Sequence, residues 1–260
     1  MIGQLIDLER YPIDRLDSPL VEHSRETLRG QGALKLDGFL RAEAVDQMVA
    51  EARGLAAQGY PNDATHNAYF DDEIDESLEE DHPRRILVRS AQKAVAMDVL
   101  PPDFAPRVVY ESDEMLRFVA AVLEQDELYR SADPLDGCNL TVYEEGDELG
   151  WHFDQSEFSV TLMIQRAARG GDFEYAPMIR EPGNEHYLEV REVLLHESLR
   201  TVQLVSEPGT LAFFRGRYSL HRVPPVKGLT PRMNSVLTYS VEPGLKLSPM
   251  AQQMYYGRTA

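Results

Sequence analysis

The fold turns on the reading of "CNLTVYEEGDELGWHFDQSEFSV", residues 138–160. Its first six residues alternate. Cys138, Leu140 and Val142 share one face of an extended strand, and Asn139, Thr141 and Tyr143 share the other. After an acidic turn, His152 and Asp154 stand two positions apart, so both point to one side while Phe153 points away. Either run alone reads most simply as a half-buried strand with its polar face in water. H-x-D is common by chance. It gains meaning only if other residues converge on the same place.

Outward from this stretch the C-terminal half keeps the same texture. Short alternating runs, "FSVTLMIQ", "GGDFEYAP", "TVQLVSE", "GTLAFFRG", "HRVPPV" and "MNSVLTYSV", are separated by Gly, Pro and charge. Several short strands at close spacing indicate an antiparallel sandwich or barrel. The N-terminal half reads as mostly helical. "SPLVEHSRETLRG" has a Ser cap at Ser18 and a terminal Gly30. "GALKLDGFL" alternates as a short strand, "RAEAVDQMVAEARGLAAQGY" is an amphipathic helix ended by Gly59, and "ESDEMLRFVAAVLEQ" is another helix. Barrel faces need cover, and these helices are the obvious cover. The chain is therefore read as one α+β domain over 1–260: a mainly helical cover (1–135), a β core (136–243) and a C-terminal tail (244–260). The acidic run "FDDEIDESLEEDHP" (70–83) lacks the ligand spacing and glycine of a helix-loop-helix cation site and reads as an exposed loop or lid.

Composition narrows the function. A net charge of -18 would repel phosphates, which disfavours a nucleic-acid partner. The single cysteine, Cys138, excludes an internal disulfide or a Cys-rich zinc module and suits packing. The charged N-terminus has no apolar signal core, and no segment reaches the roughly 18 apolar residues of a membrane span. A cytoplasmic protein with no membrane partner is the expectation; the oligomeric state is left open.

His221, at the end of "GTLAFFRGRYSLHRV", is the histidine best placed to join His152 and Asp154. His186 and His196 sit in charged, surface-like text, and His23, His66 and His82 in helical or acidic loop text without a strand partner. Two imidazoles and one carboxylate on one face of a metal, with the other positions open, are what a non-haem Fe(II) oxygenase requires. Arg232 follows eleven positions after His221 and can grip a carboxylate bidentately. If "RMNSVLTYS" is extended, Arg232, Asn234, Val236, Thr238 and Ser240 share a face that would line a cavity. Met233, Leu237, Tyr239 and Val241 take the other face and pack outside.

The combination "YEEGDELGWHFD … GGDFEYAP … EPGTLAFFRGRYSLHRVPPVKGLTPR" resembles the Fe(II)/2-oxoglutarate-dependent oxygenases, in particular their prolyl-hydroxylase-like branch, over residues 138–241. The resemblance implies a double-stranded β-helix, or jelly roll, covered by the N-terminal helices. It implies that His152, Asp154 and His221 bind Fe(II), that Arg232 clamps the distal carboxylate of 2-oxoglutarate with Tyr143 as helper, and that O2 is the co-substrate. The helical N-terminal half and the tail "MAQQMYYGRTA" are similar to standalone bacterial oxygenases of free amino acids, including lysine, that are related to the radical halogenases. In those halogenases a small residue replaces the carboxylate of H-x-D and leaves room for chloride. Asp154 fills that position here, so the resemblance implies hydroxylation.

An amino-acid substrate needs a cation for its carboxylate and acceptors for its amines. The candidates are Arg89 for the carboxylate, Thr238 inside the barrel, Asp136, Gln155 or Glu157 for amino groups, and Tyr256, with its neighbour Tyr255, closing from the tail. Each has a plain alternative, Arg89 as a surface arginine and Glu157 as a solvated strand residue. Other readings stay open: a hydroxylase of peptidyl or other small-metabolite substrates, a jelly roll that senses 2-oxoglutarate or oxygen without turnover, and a zinc hydrolase using two His and one Asp. The last leaves Arg232 without a role.

Overall fold

The computed structural model describes residues 2–260. The N-terminal half runs α1 (Ile2–Leu5), α2 (Pro19–Gln31), β1 (Ala33–Leu36), α3 (Ala42–Leu55), β2 (Tyr60–His66), β3 (Val88–Val95), α4 (Ala105–Glu111), α5 (Asp113–Val122) and β4 (Tyr129–Arg130). Then come β5 (Cys138–Tyr143), β6 (Glu148–His152), β7 (Ser159–Gln165), β8 (Phe173–Ala176), α6 (Tyr187–Leu194) and β9 (Val202–Leu204). The chain closes with β10 (Leu211–Phe214), β11 (Leu220–Val223), β12 (Arg232–Leu237), β13 (Tyr239–Ser240) and α7 (Pro249–Tyr256).

Apolar spacing builds the helices. In α3 the buried residues are Ala44, Met48, Ala52 and Leu55, one stripe at steps of three and four. In α5 they are Met115, Phe118, Val119 and Val122, and the Ser112 hydroxyl accepts the Met115 N–H at the N-cap. The expected ends of α2 shift slightly. Ser18 stands at the N-cap without a side-chain cap bond, and the helix runs past Gly30 to Gln31, where Gly32 takes the left-handed conformation at φ 69°.

Eleven strands form one curled antiparallel sheet in the order β1-β10-β7-β12-β5-β3-β6-β11-β8-β9, with β2 paired to β3. This is the jelly-roll arrangement. The outward residues of β5, β7, β10 and β12, among them Leu140, Leu162, Phe213 and Met233, pack with Met48, Phe104 and Phe118 in the main core. On the opposite wall Trp151, Phe153, Ala176 and Leu220 pack with Val190 and Val193 of α6. Both outer faces are thus covered, and the polar faces turn inward. Asn139 and Thr141 are only 7% and 8% exposed, so the polar side of β5 lines the barrel and does not meet water.

Two sequence expectations need correction. The N-terminal half, read as mainly helical with one short strand, also contributes the β2–β3 hairpin to the sheet, and β3 lies between β5 and β6. Its polar, irregular text has no alternation from which a strand could be read. The run from Arg232 also breaks at Thr238 rather than continuing as one strand. Tyr239 and Ser240 then pair with β4, and Val241 is 49% exposed instead of packed. No helix among the described residues is long and apolar enough to cross a membrane.

Candidate active site

His152 ends β6 and pairs directly opposite His221 of β11. Opposed residues point to one face, and the two imidazole centroids are 4.1 Å apart. Asp154 lies just beyond the strand, held by an N–H bond to the Gly216 carbonyl at 3.1 Å. Its Oδ1 is 3.5 Å from His152 Nε2 and 3.3 Å from His221 Nε2. One ligand atom from each of the three lies within 4.8 Å of the others.

The hydrogen bonds decide which nitrogens face the centre. His152 Nδ1 bonds the Gly150 carbonyl at 2.8 Å, and His221 Nδ1 bonds the Ser219 carbonyl at 2.9 Å. A carbonyl only accepts, so each Nδ1 carries a proton and each ring turns its Nε2 toward Asp154. Burial, reinforced by the neighbouring His221, pushes His152 below the ordinary histidine pKa and favours its neutral form. Burial opposes ionisation of Asp154, but the two imidazoles beside it prevail and hold its carboxyl well below the usual range. Two imidazole nitrogens and one carboxylate, preset and inward-facing, fit a divalent iron.

The Asp154 rotamer is set by residues that the sequence reading did not single out. The Ser159 hydroxyl donates to Oδ2 at 2.6 Å, which leaves Oδ1 for the centre. A Cβ on Gly216 would run into the Asp154 carboxylate. Replacing Gly216 with Ala should therefore push the carboxylate off its position and weaken Fe(II) binding on the order of tenfold, as orienting residues around a metal typically do. Metal titration, with circular dichroism to check that the sheet survives, measures this.

Arg232 sits across from Tyr143 in the β12–β5 register, its guanidinium 5.4 Å from the tyrosine ring centre. It is buried, its Nε has no hydrogen-bond partner, and no carboxylate of the described residues pairs with it. Burial lowers its pKa. A buried, unpaired guanidinium is costly unless an anion joins it, so this position fits a carboxylate-bearing co-substrate. Burial pushes the Tyr143 hydroxyl up to about 12, so it remains a neutral donor.

The expected substrate residues fall into three places. Asp136, Thr238 and Tyr256 come together: Tyr256 donates its hydroxyl to Asp136 Oδ1 at 2.6 Å, and Thr238 donates to Oδ2 at 3.4 Å. Asn139 completes this group with an amide donated to Asp136 at 3.4 Å. Gln155 lines the cavity beside Asp154 and donates to the Tyr69 carbonyl, whereas Glu157 is exposed, 4.0 Å from Arg217, and does not line that cavity. Arg89 is elsewhere. It is 41% exposed and forms a two-pronged pair with Asp63 at 2.9 Å, with Glu148 at 3.6 Å. The plain surface reading describes Arg89 better than a carboxylate clamp, because strand alternation on β3 turns Ser90, not Arg89, toward His66.

His66 is the residue most clearly missed. It is not loop text but the last residue of β2, paired with Val88. Its ring lies edge-on to His152 at 6.3 Å and stacks on Phe70 at 4.2 Å. Phe70 itself has φ 56°, strained for an aromatic residue, and its ring meets His152 at 5.4 Å. Buried Asn67 holds this turn by accepting the N–H groups of Tyr69 and Asp71 and donating to the Arg84 carbonyl. The start of the acidic segment is thereby tied beside His152. Only the strand pairing of His66 brings it there, and no local sequence signal announces that.

A family model described as HalD, Halogenase D, matches residues 16–255. Among solved structures, a 2OG-Fe(II) oxygenase family oxidoreductase from Burkholderia pseudomallei is 17% identical, with TM-score 0.53, over 86% of this chain and 92% of that one. A prolyl-4-hydroxylase from Pseudomonas putida is 15% identical, with TM-score 0.51, over 84% and 97%. The epimerase SnoN of nogalamycin biosynthesis, solved with Fe3+ and alpha ketoglutarate, is 14% identical, with TM-score 0.57, over 88% and 93%. These likenesses establish the shared jelly roll. No curated protein matches the chain.

Proposed function

The chain belongs to the halogenase D family, within the 2-oxoglutarate/Fe(II) oxygenases, and from that premise we propose that it hydroxylates an unactivated C–H bond of a free, amine-bearing amino acid, with lysine the first candidate. Its cofactors are Fe(II) and 2-oxoglutarate, with O2 as co-substrate. Together they would supply the oxidant: 2-oxoglutarate would lose CO2 and take one oxygen atom of O2 to become succinate, the other atom entering the substrate C–H bond.

In this reading His152, Asp154 and His221 hold the iron, and Arg232 with Tyr143 receives the distal carboxylate of 2-oxoglutarate. The observation that carries hydroxylation over halogenation is the Asp154 carboxylate itself, turned by Ser159 so that Oδ1 faces both imidazoles. It occupies the coordination position a halide would need. The observation that favours an amine is Asp136. It is partly buried, no cation among the described residues pairs with it, and burial raises its pKa. A substrate ammonium would supply the missing charge, with Thr238 and Tyr256 fixing the carboxylate from either side. Tyr255 and Tyr256 sit near the end of α7, and α7 is pinned where Gln252 donates to Asp133 at 2.7 Å.

Succinate release tests the substrate class. With Fe(II), 2-oxoglutarate and air, one or more free amino acids carrying a second amine should stimulate succinate formation several-fold. No stimulation by any amino acid would remove this substrate class and favour peptidyl or other small-metabolite substrates. Replacing Asp136 with Asn should raise the KM for the stimulating amino acid about tenfold or more, the range of a charge-assisted hydrogen bond. The KM for 2-oxoglutarate should stay unchanged. Equal effects on both KM values would mean Asp136 acts on the fold and not on the substrate.

A further inference from the structure

A cavity of about 250 Å3 opens beside Asp154, and three arginines, Arg84, Arg180 and Arg217, line it. Neither Arg232 nor Tyr143 is part of its wall, so it is distinct from the position suited to 2-oxoglutarate. In a chain with 26 basic and 44 acidic residues, three guanidiniums around one small volume run against the composition.

All three arginines have structural partners, and all three keep N–H groups free. Arg84 donates Nε to the Tyr187 hydroxyl at 3.0 Å and Nη1 to Asp71 at 2.5 and 2.7 Å. Arg180 donates Nε to the Arg217 carbonyl at 2.5 Å and Nη1 to Glu185 at 2.8 Å. In both, Nη2 has no partner among the described residues. Arg217 donates Nη2 to the Gln155 carbonyl, while its Nη1 is 4.0 Å from Glu157, beyond hydrogen-bond range. Its Nε is free as well. The planes are fixed by aromatic stacking: Arg180 lies 3.9 Å over the Phe153 ring, and Arg84 4.2 Å over Tyr69. Stacked guanidiniums with spare donors are preorganised for a planar anion, because little side-chain entropy is lost on binding.

We propose that this cavity is the carboxylate subsite for the substrate, with Arg217 and Arg180 gripping the carboxylate and Arg84 fixing the wall behind them. Asp154 is shared between the cavity and the triad, so a molecule anchored here lies beside the iron position. The assignment rests on reading the site as an oxygenase of free amino acids, and it gives Arg180 and Arg217 the task that the sequence had pointed to Arg89 for. Arg89, paired with Asp63 on the outside, has no part in it.

Calorimetry separates the possibilities. Protein loaded with Fe(II) and 2-oxoglutarate, kept free of oxygen, is titrated with each of the common free amino acids and then with the carboxamide of each one that binds. The carboxamide should bind at least about tenfold more weakly, the effect of losing a charged hydrogen-bond partner. Arg217→Gln, at an exposed rim position, and Arg180→Lys should weaken the acid by a similar factor, leave the carboxamide unchanged and leave 2-oxoglutarate binding unchanged. Arg89→Ala should alter none of these. Equal binding of acid and carboxamide, equal losses for both ligands in the variants, or a loss confined to Arg89→Ala would overturn the assignment while leaving the amino-acid reading in place. Failure of every amino acid to bind would overturn both.

Discussion

Replacing Arg232 with Ala is expected to raise the 2-oxoglutarate concentration needed for half-maximal turnover by on the order of 100-fold, the effect of removing a two-pronged charged contact. The reason lies in what surrounds the side chain. Arg232 is buried opposite Tyr143 with its Nε unpartnered, and no carboxylate among the described residues forms an ion pair with it, Asp172 acting only from a distance. An arginine kept in that state loses stability that only an incoming anion restores. The same substitution should therefore leave the folded protein no less stable in the absence of 2-oxoglutarate. Lysine at this position keeps the charge but not the fork, so Arg232→Lys should fall between the two. Titrations of 2-oxoglutarate for each variant, with thermal melts with and without it, check both halves. An unchanged KM for 2-oxoglutarate in Arg232→Ala would place its carboxylate elsewhere.

His221→Ala is expected to abolish turnover and lower Fe(II) affinity by more than about 100-fold, since even residues that only orient metal ligands are commonly worth 10- to 100-fold. His221 is buried between Phe214 at 4.7 Å and Phe173 at 5.4 Å, so alanine also leaves a void. His221→Gln fills most of that void without restoring the imidazole donor. It should keep the fold while losing iron to a similar degree. Metal analysis of the purified variants beside far-ultraviolet circular dichroism distinguishes loss of iron from loss of structure. Retention of stoichiometric iron by both variants would exclude His221 as a ligand.

Much of the site was legible because it depends on short-range alternation. His152 and Asp154 are two apart, and Arg232 begins a strand whose alternate residues, Met233 and Leu237, are plainly core. Once one polar face is known to turn inward, its neighbours follow, as Asn139, Thr141 and Tyr143 do. Ser235 shows the limit of that rule. It lies on the apolar side of β12, fully buried, and its hydroxyl reaches the Asn139 carbonyl at 2.6 Å. What was not legible depends on contacts between distant segments. His66 meets His152 only because β2 pairs with β3 and β3 with β6. Gly216 matters only because the chain after β10 returns against Asp154.

Arg89 illustrates a different difficulty. Its residue type suited a carboxylate clamp, but on a strand the neighbouring position decides which way it points. Ser90 faces inward, its hydroxyl bonding His66 at 2.6 Å and accepting the Gly150 N–H at 3.0 Å. Arg89 is left outside with Asp63. The arginines around the rim cavity come from three separated segments, and Arg84 and Arg180 lie in runs with no period to read. Their convergence is a property of the folded chain alone.

The most direct test of the account is the mass of the product. The enzyme is incubated with Fe(II), 2-oxoglutarate, air, chloride and the amino acid that most stimulates succinate release, alongside a reaction without 2-oxoglutarate. A product heavier by one oxygen atom is expected, formed only when 2-oxoglutarate is present and accompanied by succinate. A chlorinated product would contradict the role given to Asp154, and an oxygenated product formed equally well without 2-oxoglutarate would contradict the role given to Arg232.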